Sequence, residues 1–406
     1  MTFESKLVPP VVAVLVTDHS DISRDEVLEG IAGQDYENLQ VVVLHRGQGS
    51  IEQQVRAVVP DAVVKEVPDS NSFGDAANRV EKLVEGAAFY LFLDDSTALT
   101  SDSVSLLVAE AVESNAGVLG PKVLDWDDPS RIRSMGLLVD AFGVETAFVE
   151  PGELDQQQHD RVREAFTVTG EAVLVRSDLF QTLGGFDPKI IGDEEYLDLC
   201  WRAQIAGGRI LVVPQATVRS RQKVTAQTAE RTRRYAMRHR QHVVAKCYGW
   251  VHLLPVMFAA FVLSLFEIAY SLVTLRFSHS RDVLAAWGWN LLQTRHVVRS
   301  RRQISRLRET RDRDIRRRQA AGSTRLRNFL QGQIGGEIAL QSLSSRAVGQ
   351  VSASFSAGPR RVALLSWVAI VGVLMFGSRH LLTQGVPVYG QFSSFPDTTS
   401  LLASYW

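Results

Sequence analysis

Residues 88–96 read Ala-Phe-Tyr-Leu-Phe-Leu-Asp-Asp-Ser, an unbroken apolar run that stops at two carboxylates, Asp94 and Asp95. A short run of this kind is the signature of a strand buried on both faces, as in the middle of a parallel sheet. Its acidic end falls at the strand's carboxyl terminus, where open α/β sheets hold their ligands. The same grammar repeats upstream. Val11–Val16 is followed by the polar turn Thr17-Asp18-His19-Ser20-Asp21 and then by a helical pattern carrying Val27, Leu28 and Ile31. A strand at Leu39–Leu44, a helix near Ile51–Val59, a weaker strand at Ala62–Val67 and a helix carrying Ala76, Ala77, Val80, Leu83 and Val84 complete the approach. Strands alternating with helices predict an α/β, Rossmann-like, mostly parallel sheet with right-handed crossovers and flanking helices. The polar residues after Val16, Leu44 and Leu93 then share one cleft, which makes Thr17 and Asp18 candidate ligand contacts beside Asp94 and Asp95.

The next hundred residues are less regular. Gly117–Val123 predicts a strand ending at Pro121, Asp125–Arg131 a polar loop, and Glu150–Gln158 a surface loop. Ala172–Val175 reads as a strand, Ser177–Thr182 as a short helix, and Glu194–Ile205 as an amphipathic helix closed by Gly207-Gly208. Ile210–Val213 is a last strand stopped by Pro214.

With 406 residues, 45% of them apolar, the chain has length for two or three domains. The formal net charge of −1 hides an asymmetry, because acidic residues dominate the first two hundred positions and arginines crowd the stretch from Arg219 to Arg327. Such a split points to an anionic partner for one half only. The two cysteines, Cys200 and Cys247, argue for no disulfide framework and read as free thiols. The apolar run Val8–Val16 is short, holds two prolines, and lacks a basic n-region and a small-residue cleavage site, so it reads as a buried first strand and not a secretory signal.

Past Val218 the character changes. An arginine-rich helical segment, Arg219–Lys246, leads into Leu253–Leu275, which exceeds the roughly twenty residues that span a bilayer. Asp282–Val298 reads as an amphipathic helix, and Val362–Phe376 as a second, shorter candidate span. The positive-inside rule sets both arginine clusters on the cytoplasmic side. Leu253–Leu275 then either pairs with Asp282–Val298 as a hairpin or lies with it in the membrane interface. The expected layout is an α/β domain over 1–220, membrane-proximal or interfacial helices over 221–300, a basic cytoplasmic segment and linker over 301–360, and a transmembrane helix with a tail over 361–406. An end at Trp406 suits either a longer protein cut short or a short external tail. The arginine clusters lack interleaved aromatics and flank apolar segments, which favours anionic lipid head groups over nucleic acid.

An ordered series of motifs adds a family resemblance. Gln34-Asp35-Tyr36-Glu37-Asn38-Leu39-Gln40-Val41-Val42-Val43 resembles the approach to the second strand of family 2 glycosyltransferases. Asn71-Ser72-Phe73-Gly74-Asp75-Ala76-Ala77-Asn78 resembles their Asn-x-Gly helix start, and Leu91–Ser96 stands where they carry a DxD-type metal motif. Thr169-Gly170-Glu171-Ala172, Arg176 and Gly184-Gly185-Phe186-Asp187 look like their acceptor-side segment. Glu195-Tyr196-Leu197-Asp198-Leu199 with Arg202, then Ala206-Gly207, is similar to their Glu-Asp-x-Asp-Leu helix. Val213-Pro214-Gln215-Ala216 looks like their closing strand. The series covers about residues 11–220, and the region behind it resembles large actinobacterial membrane glycosyltransferases.

This resemblance implies a GT-A fold and transfer of a sugar from a nucleotide-sugar donor to a lipid-linked or polysaccharide acceptor of the cell envelope. It also implies a catalytic domain facing the cytoplasm at the cell membrane. A sugar nucleotide leaves as a diphosphate, and a divalent cation, Mg or Mn, lowers that barrier. Hard cations take oxygen ligands, so Asp95 is the expected metal ligand, with Asp94, Asn78, Thr17 and Asp18 on the nucleotide-sugar. Read without the series, Asp94-Asp95-Ser96 is a helix cap. An inverting transfer needs a general base. The resemblance places it at position 196, which here is Tyr196, leaving Glu195 and Asp198, three apart on one helix, as catalytic candidates. The competing expectation for this pair is a solvated helix face. Other departures are His45-Arg46 at an acidic position, Leu93 at a polar one, and Ser220 where a histidine is common. They support the alternative of a catalytically inactive scaffold or sensor of envelope biosynthesis. His19, on the first loop, reads as solvated.

Overall fold

The computed structural model describes residues 8–18, 25–221, 226–273 and 277–320. His19 and the candidate span Val362–Phe376 lie outside the described residues. The chain opens β1 (Val11–Thr17), α1 (Asp25–Ala32), β2 (Leu39–His45), α2 (Glu52–Val58), β3 (Val63–Glu66), α3 (Phe73–Ala77) and β4 (Phe89–Asp94). It continues with β5 (Thr97–Leu99), α4 (Ser103–Ser114), β6 (Val118–Asp125), β7 (Arg131–Ser134), β8 (Leu137–Val139) and β9 (Glu145–Ala147). Then follow β10 (Glu153–Leu154), β11 (Arg163–Glu164), β12 (Ala172–Arg176), α5 (Ser177–Leu183), α6 (Glu194–Ile205) and β13 (Ile210–Ser220). Helices α7 (Ala226–Cys247), α8 (Trp250–Val273), α9 (Phe277–Leu292), α10 (Thr294–Leu307) and α11 (Asp312–Arg317) complete it.

The main sheet runs β10-β7-β6-β12-β4-β1-β2-β3, with β13 beside β6. The β3-β2-β1-β4 half is parallel, and β12 enters antiparallel between β4 and β6. Alternation along the strands divides the core. Val11, Ala13 and Leu15 of β1 with Leu91 and Leu93 of β4 face α1 and α4. Val12, Val14 and Val16 with Tyr90 and Phe92 face the layer of α5 and α6. Burying each such side chain contributes about 1.5–3 kcal/mol, so these strands are rigid footings for whatever follows them. Register does the positioning: Val16 lies opposite Asp94 in the parallel pair, and Ala172 opposite Leu93 in the antiparallel one.

Several sequence expectations are corrected. β6 runs through Pro121 to Asp125 because its pairing with β12 stops at Leu119, and its register with β13 shifts beyond Pro121. A proline is tolerated where its missing N–H meets no ladder partner. The same irregularity, between Val213 and Thr217, lets β13 pass Pro214 and continue to Ser220. Glu150–Gln158 contains β10, paired with β7. Every residue of α6 is buried, so the solvated-face alternative for Glu195 and Asp198 falls. α6 is covered by a third core cluster in which Leu197, Trp201 and Ile205 meet Val243, Tyr248, Ile304 and Ile315.

The helices after β13 therefore pack on the α/β domain. Glu309 N–H donates to Ile205 O at 2.9 Å, and Gly249 N–H to Asp312 Oδ2 at 2.6 Å. The amphipathic helix expected over Asp282–Val298 is broken at Gln293 into α9 and α10, and α10 runs across position 300. α9 lies on α7 through Arg234–Asp282 at 2.9 Å and Asn290 Nδ2 to Arg238 O at 3.0 Å. α8 folds back against α9, where Trp287 Nε1 donates to Ser264 Oγ at 3.0 Å. α8 is long and apolar enough to cross a membrane, and Leu254, Phe258, Phe261, Leu265 and Phe266 on it are exposed.

Candidate functional site

Two strand ends build the floor of a cleft. Thr17, the last residue of β1, donates its hydroxyl to Asp95 Oδ2 at 2.7 Å. Asp94 closes β4, takes the Ser96 N–H on Oδ1 at 3.1 Å, and donates its own N–H to Glu171 O at 3.2 Å. No helix starts here. The pair sits in the turn into β5, so its carboxylates are not spent on a helix cap.

The walls are acidic as well. Glu171, at the entry to β12, is buried with Oε2 unpartnered by any hydrogen bond. Glu195, in the first turn of α6, accepts the Gly74 N–H on Oε2 at 2.8 Å while Oε1 finds no hydrogen bond. This approach depends on glycine, because a Cβ at position 74 would stand 2.5 Å from the Phe186 Cβ. Arg46, following β2, is a cation beside these groups. It forks onto Asp18 and also feels Glu195 and Asp95.

Crowding of like charges marks the site. Burial raises Asp94 to about 8, and Asp95 and Glu171 push the same way. Burial likewise lifts Glu195 to about 8 against the relief from Ser72, Gly74 and Arg46. A divalent cation would relieve such a set, and Asp94 and Asp95, both half-buried, are the adjacent carboxylates that could take one. Such a cation would neutralise a leaving diphosphate.

The remaining sequence candidates lie as follows. Asn78 clamps the Gly185-Phe186 turn, donating to Phe186 O at 2.9 Å and accepting Phe186 N–H at 2.8 Å. Asp18 is taken up by Arg46. Asp198 lies in a separate buried network, 2.7 Å from the Arg202 guanidinium and 2.7 Å from Lys246 Nζ. Arg202 in turn donates to Leu183 O and Gly185 O at 3.0 and 2.9 Å. Thr17 thus touches Asp95 beside Asp94, and Arg46 feels both Asp95 and Glu195, while Asp198 and Asn78 hold the loop of Gly185 and Phe186 through Arg202 and Phe186. Tyr196, at the position where the resemblance expects a base, packs its ring against Phe73 and Phe186 with its hydroxyl unpartnered. Burial, then Glu195, Asp94 and Glu171, hold that hydroxyl well above the usual tyrosine range, so it stays protonated.

Glu171 and Arg46 were not among the candidates. In the sequence Glu171 falls within the segment that resembles an acceptor-side motif, and Arg46 stands where an acidic residue is expected. Nothing periodic aims either at the cleft. His45 is fully buried with both ring nitrogens free of hydrogen bonds, and Leu93 is core.

Residues 9–242 match the sequence family described as glycosyltransferase-like family 2. A search of curated proteins gave no match. Among solved structures, the chain is similar to GalNAc-T7 with UDP, GalNAc and Mn2+ at 12% identity and TM-score 0.45, covering 59% of this chain and 51% of that one. It is also similar to S. aureus TarS at 17% identity and TM-score 0.41, covering 58% and 42%. For residues 1–349 of TarS the figures are 16% identity and TM-score 0.43, covering 80% and 92%. The chain spans about half the length of the first of these. Likenesses this distant carry no function.

Raised carboxylates set the pH response of the metal-free chain. Between the ordinary carboxylate value, about 4, and about 8, the folded protein keeps protons that the unfolded one has released, so stability falls as pH rises. Melting followed by circular dichroism should give a Tm that declines from about pH 5 to about pH 8.5. Mn2+ should restore it at the upper end, and Asp94→Asn should flatten both effects. A Tm insensitive to Mn2+ throughout would count against a cation site.

Proposed function

The chain belongs to glycosyltransferase-like family 2, and we propose that it is a membrane-attached transferase. It moves a sugar from a nucleotide-sugar donor to a cell-envelope or lipid-linked acceptor. The observation that carries this reading is the gathering of Asp94 and Asp95, at the carboxyl end of β4, with Glu171 at the entry to β12 and Glu195 in the first turn of α6. Asp95, with Asp94, would hold a Mg or Mn ion, which would supply charge neutralisation for the leaving diphosphate. Thr17 fixes the Asp95 carboxylate in place.

Glu195 is the group we assign to the acceptor hydroxyl. Burial holds the Glu195 proton up to about pH 8, and a cation bound nearby would lower that pKa and so favour the carboxylate that a base requires. Its free oxygen, Oε1, is the acceptor. Asp198 and Asn78 we assign to positioning, because their polar atoms already hold the loop of Gly185 and Phe186. The buried ring of Tyr196 favours a second reading, an inactive scaffold, since it puts a protonated hydroxyl where a base is expected.

Titration calorimetry separates these. For the enzyme, UDP-, GDP- or dTDP-sugar binds with Mn2+ and not with EDTA, and Asp95→Ala lowers that affinity at least about tenfold. Transfer or donor hydrolysis should fall about a hundredfold or more in Glu195→Gln. Absence of metal-dependent binding to every donor would leave the scaffold reading.

Attachment to the membrane rests on two adjacent surfaces. α8 exposes Leu254, Phe258, Phe261 and Leu265. On α10, Arg295, Arg299, Arg302 and Arg306 are exposed at spacings that put them on one face. Arg301 joins the two, with its guanidinium 4.2 Å from the ring centre of the exposed Trp250. An arginine near an anionic bilayer contributes about 1 kcal/mol. In vesicle flotation, replacing these exposed arginines of α10 with glutamine should weaken binding to phosphatidylglycerol vesicles roughly a hundredfold or more at low salt. Unchanged flotation at every salt concentration would remove the arginines from the account.

A further inference from the structure

Away from the cleft, three side chains from distant parts of the chain converge. They are Asp187 in the turn after Phe186, His242 of α7 and His296 of α10. Each offers one ligand atom, and these atoms lie within 4.8 Å of one another.

The spacing inside the group is informative. His296 Nε2 stands 3.3 and 3.2 Å from Asp187 Oδ1 and Oδ2. A charge-assisted N–H···O bond is shorter, about 2.7–2.9 Å. Two ligands bound at about 2.0–2.2 Å to one tetrahedral ion stand roughly 3.4 Å apart, close to the distance found here.

His242 is oriented as a ligand would be. Asn290 Nδ2 donates to Arg238 O and Ala286 O, each at 3.0 Å, which identifies Asn290 Oδ1 as an acceptor. That oxygen lies 3.3 Å from His242 Nδ1 and accepts its N–H, leaving a bare lone pair on Nε2. Nε2 is buried and has no hydrogen-bond partner, and the whole residue is closed to solvent. A histidine tied through one ring nitrogen with the other left bare is the arrangement that second-shell contacts produce at metal sites. The His242 ring stacks on that of His296, with centres 5.4 Å apart and planes at 16°.

We propose that Asp187, His242 and His296 bind a zinc-class transition-metal ion at a site separate from the oxygen-lined cleft of Asp94 and Asp95. Two imidazoles and one carboxylate suit zinc, cobalt or nickel, whereas Mg and Mn prefer oxygen ligands. Water completes the tetrahedron on the side of His296, whose side chain is 25% exposed. Lys246 sets the limit on affinity. Its ammonium pairs with Asp187 Oδ2 and Asp198 Oδ1, so the ion takes Asp187 Oδ1 and shares that residue with a fixed positive charge. The ion pins the turn of the catalytic domain to both α7 and α10, the helices that lead into and out of the apolar hairpin.

Cobalt(II) alone is the probe, added to the full 406-residue chain after stripping with EDTA. The Asp95→Ala background removes the cleft from the count. One equivalent should bind with the strong visible bands of four-coordinate cobalt, and zinc should displace it. His296→Ala, a change at a partly exposed residue, and His242→Gln should each weaken binding at least about tenfold. Absorption confined to weak six-coordinate bands, or a spectrum unchanged by His296→Ala, overturns the proposal. Sugar-donor binding is unaffected by either outcome, so the two readings stand or fall separately.

Discussion

Burial of carboxylates beside the end of β4 disfavours their charged forms, and this constraint bears on Asp94 and Glu195 alike. Asp94 and Glu195 are both held protonated up to about pH 8 by burial and by their acidic neighbours. That is costly as pure architecture, since an uncompensated buried charge destabilises a fold. It would suit a cation-binding site, because a dication placed beside these carboxylates would favour their charged forms. Arg46 offsets part of the charge and is itself partly neutralised by Asp18.

The scaffold keeps that cleft from collapsing. Phe92, Phe180 and Phe186 interlock behind it, and Tyr196 leans on Phe186. Asn78 and Arg202 bind the backbone of the intervening turn from two directions. Asp198 and Lys246 carry this network from α6 into α7, so the helices after the α/β domain are fastened to it through α6. Burial of paired charges there makes removal of one partner expensive, about 3–5 kcal/mol.

The parallel half of the sheet was legible because strands buried on both faces leave unbroken apolar runs. Val11–Val16 and Phe89–Leu93 announce themselves, and the acidic end of β4 locates the cleft. What followed was harder to read for physical reasons. β6 passes Pro121 because its pairing with β12 has already ended at Leu119, and β13 passes Pro214 because its register with β6 shifts between Val213 and Thr217, both tertiary facts. The spacing of Glu195 and Asp198 suggests a common face, yet total burial of α6 gives their carboxylates different partners. Glu171 and Arg46 reach the cleft through turns, which have no period. Lys246 sits in an arginine-rich run that reads as surface, and only packing shows it buried against Asp187.

Diffraction at the manganese absorption edge, from crystals soaked in Mn2+ and a nucleoside diphosphate, tests the central claim most directly. The account requires an anomalous peak within coordinating distance of the Asp95 carboxylate, bridging to diphosphate oxygens, with Glu195 opening onto the same cavity. Nucleotide bound elsewhere, or a cleft without manganese at saturating concentrations, would contradict it.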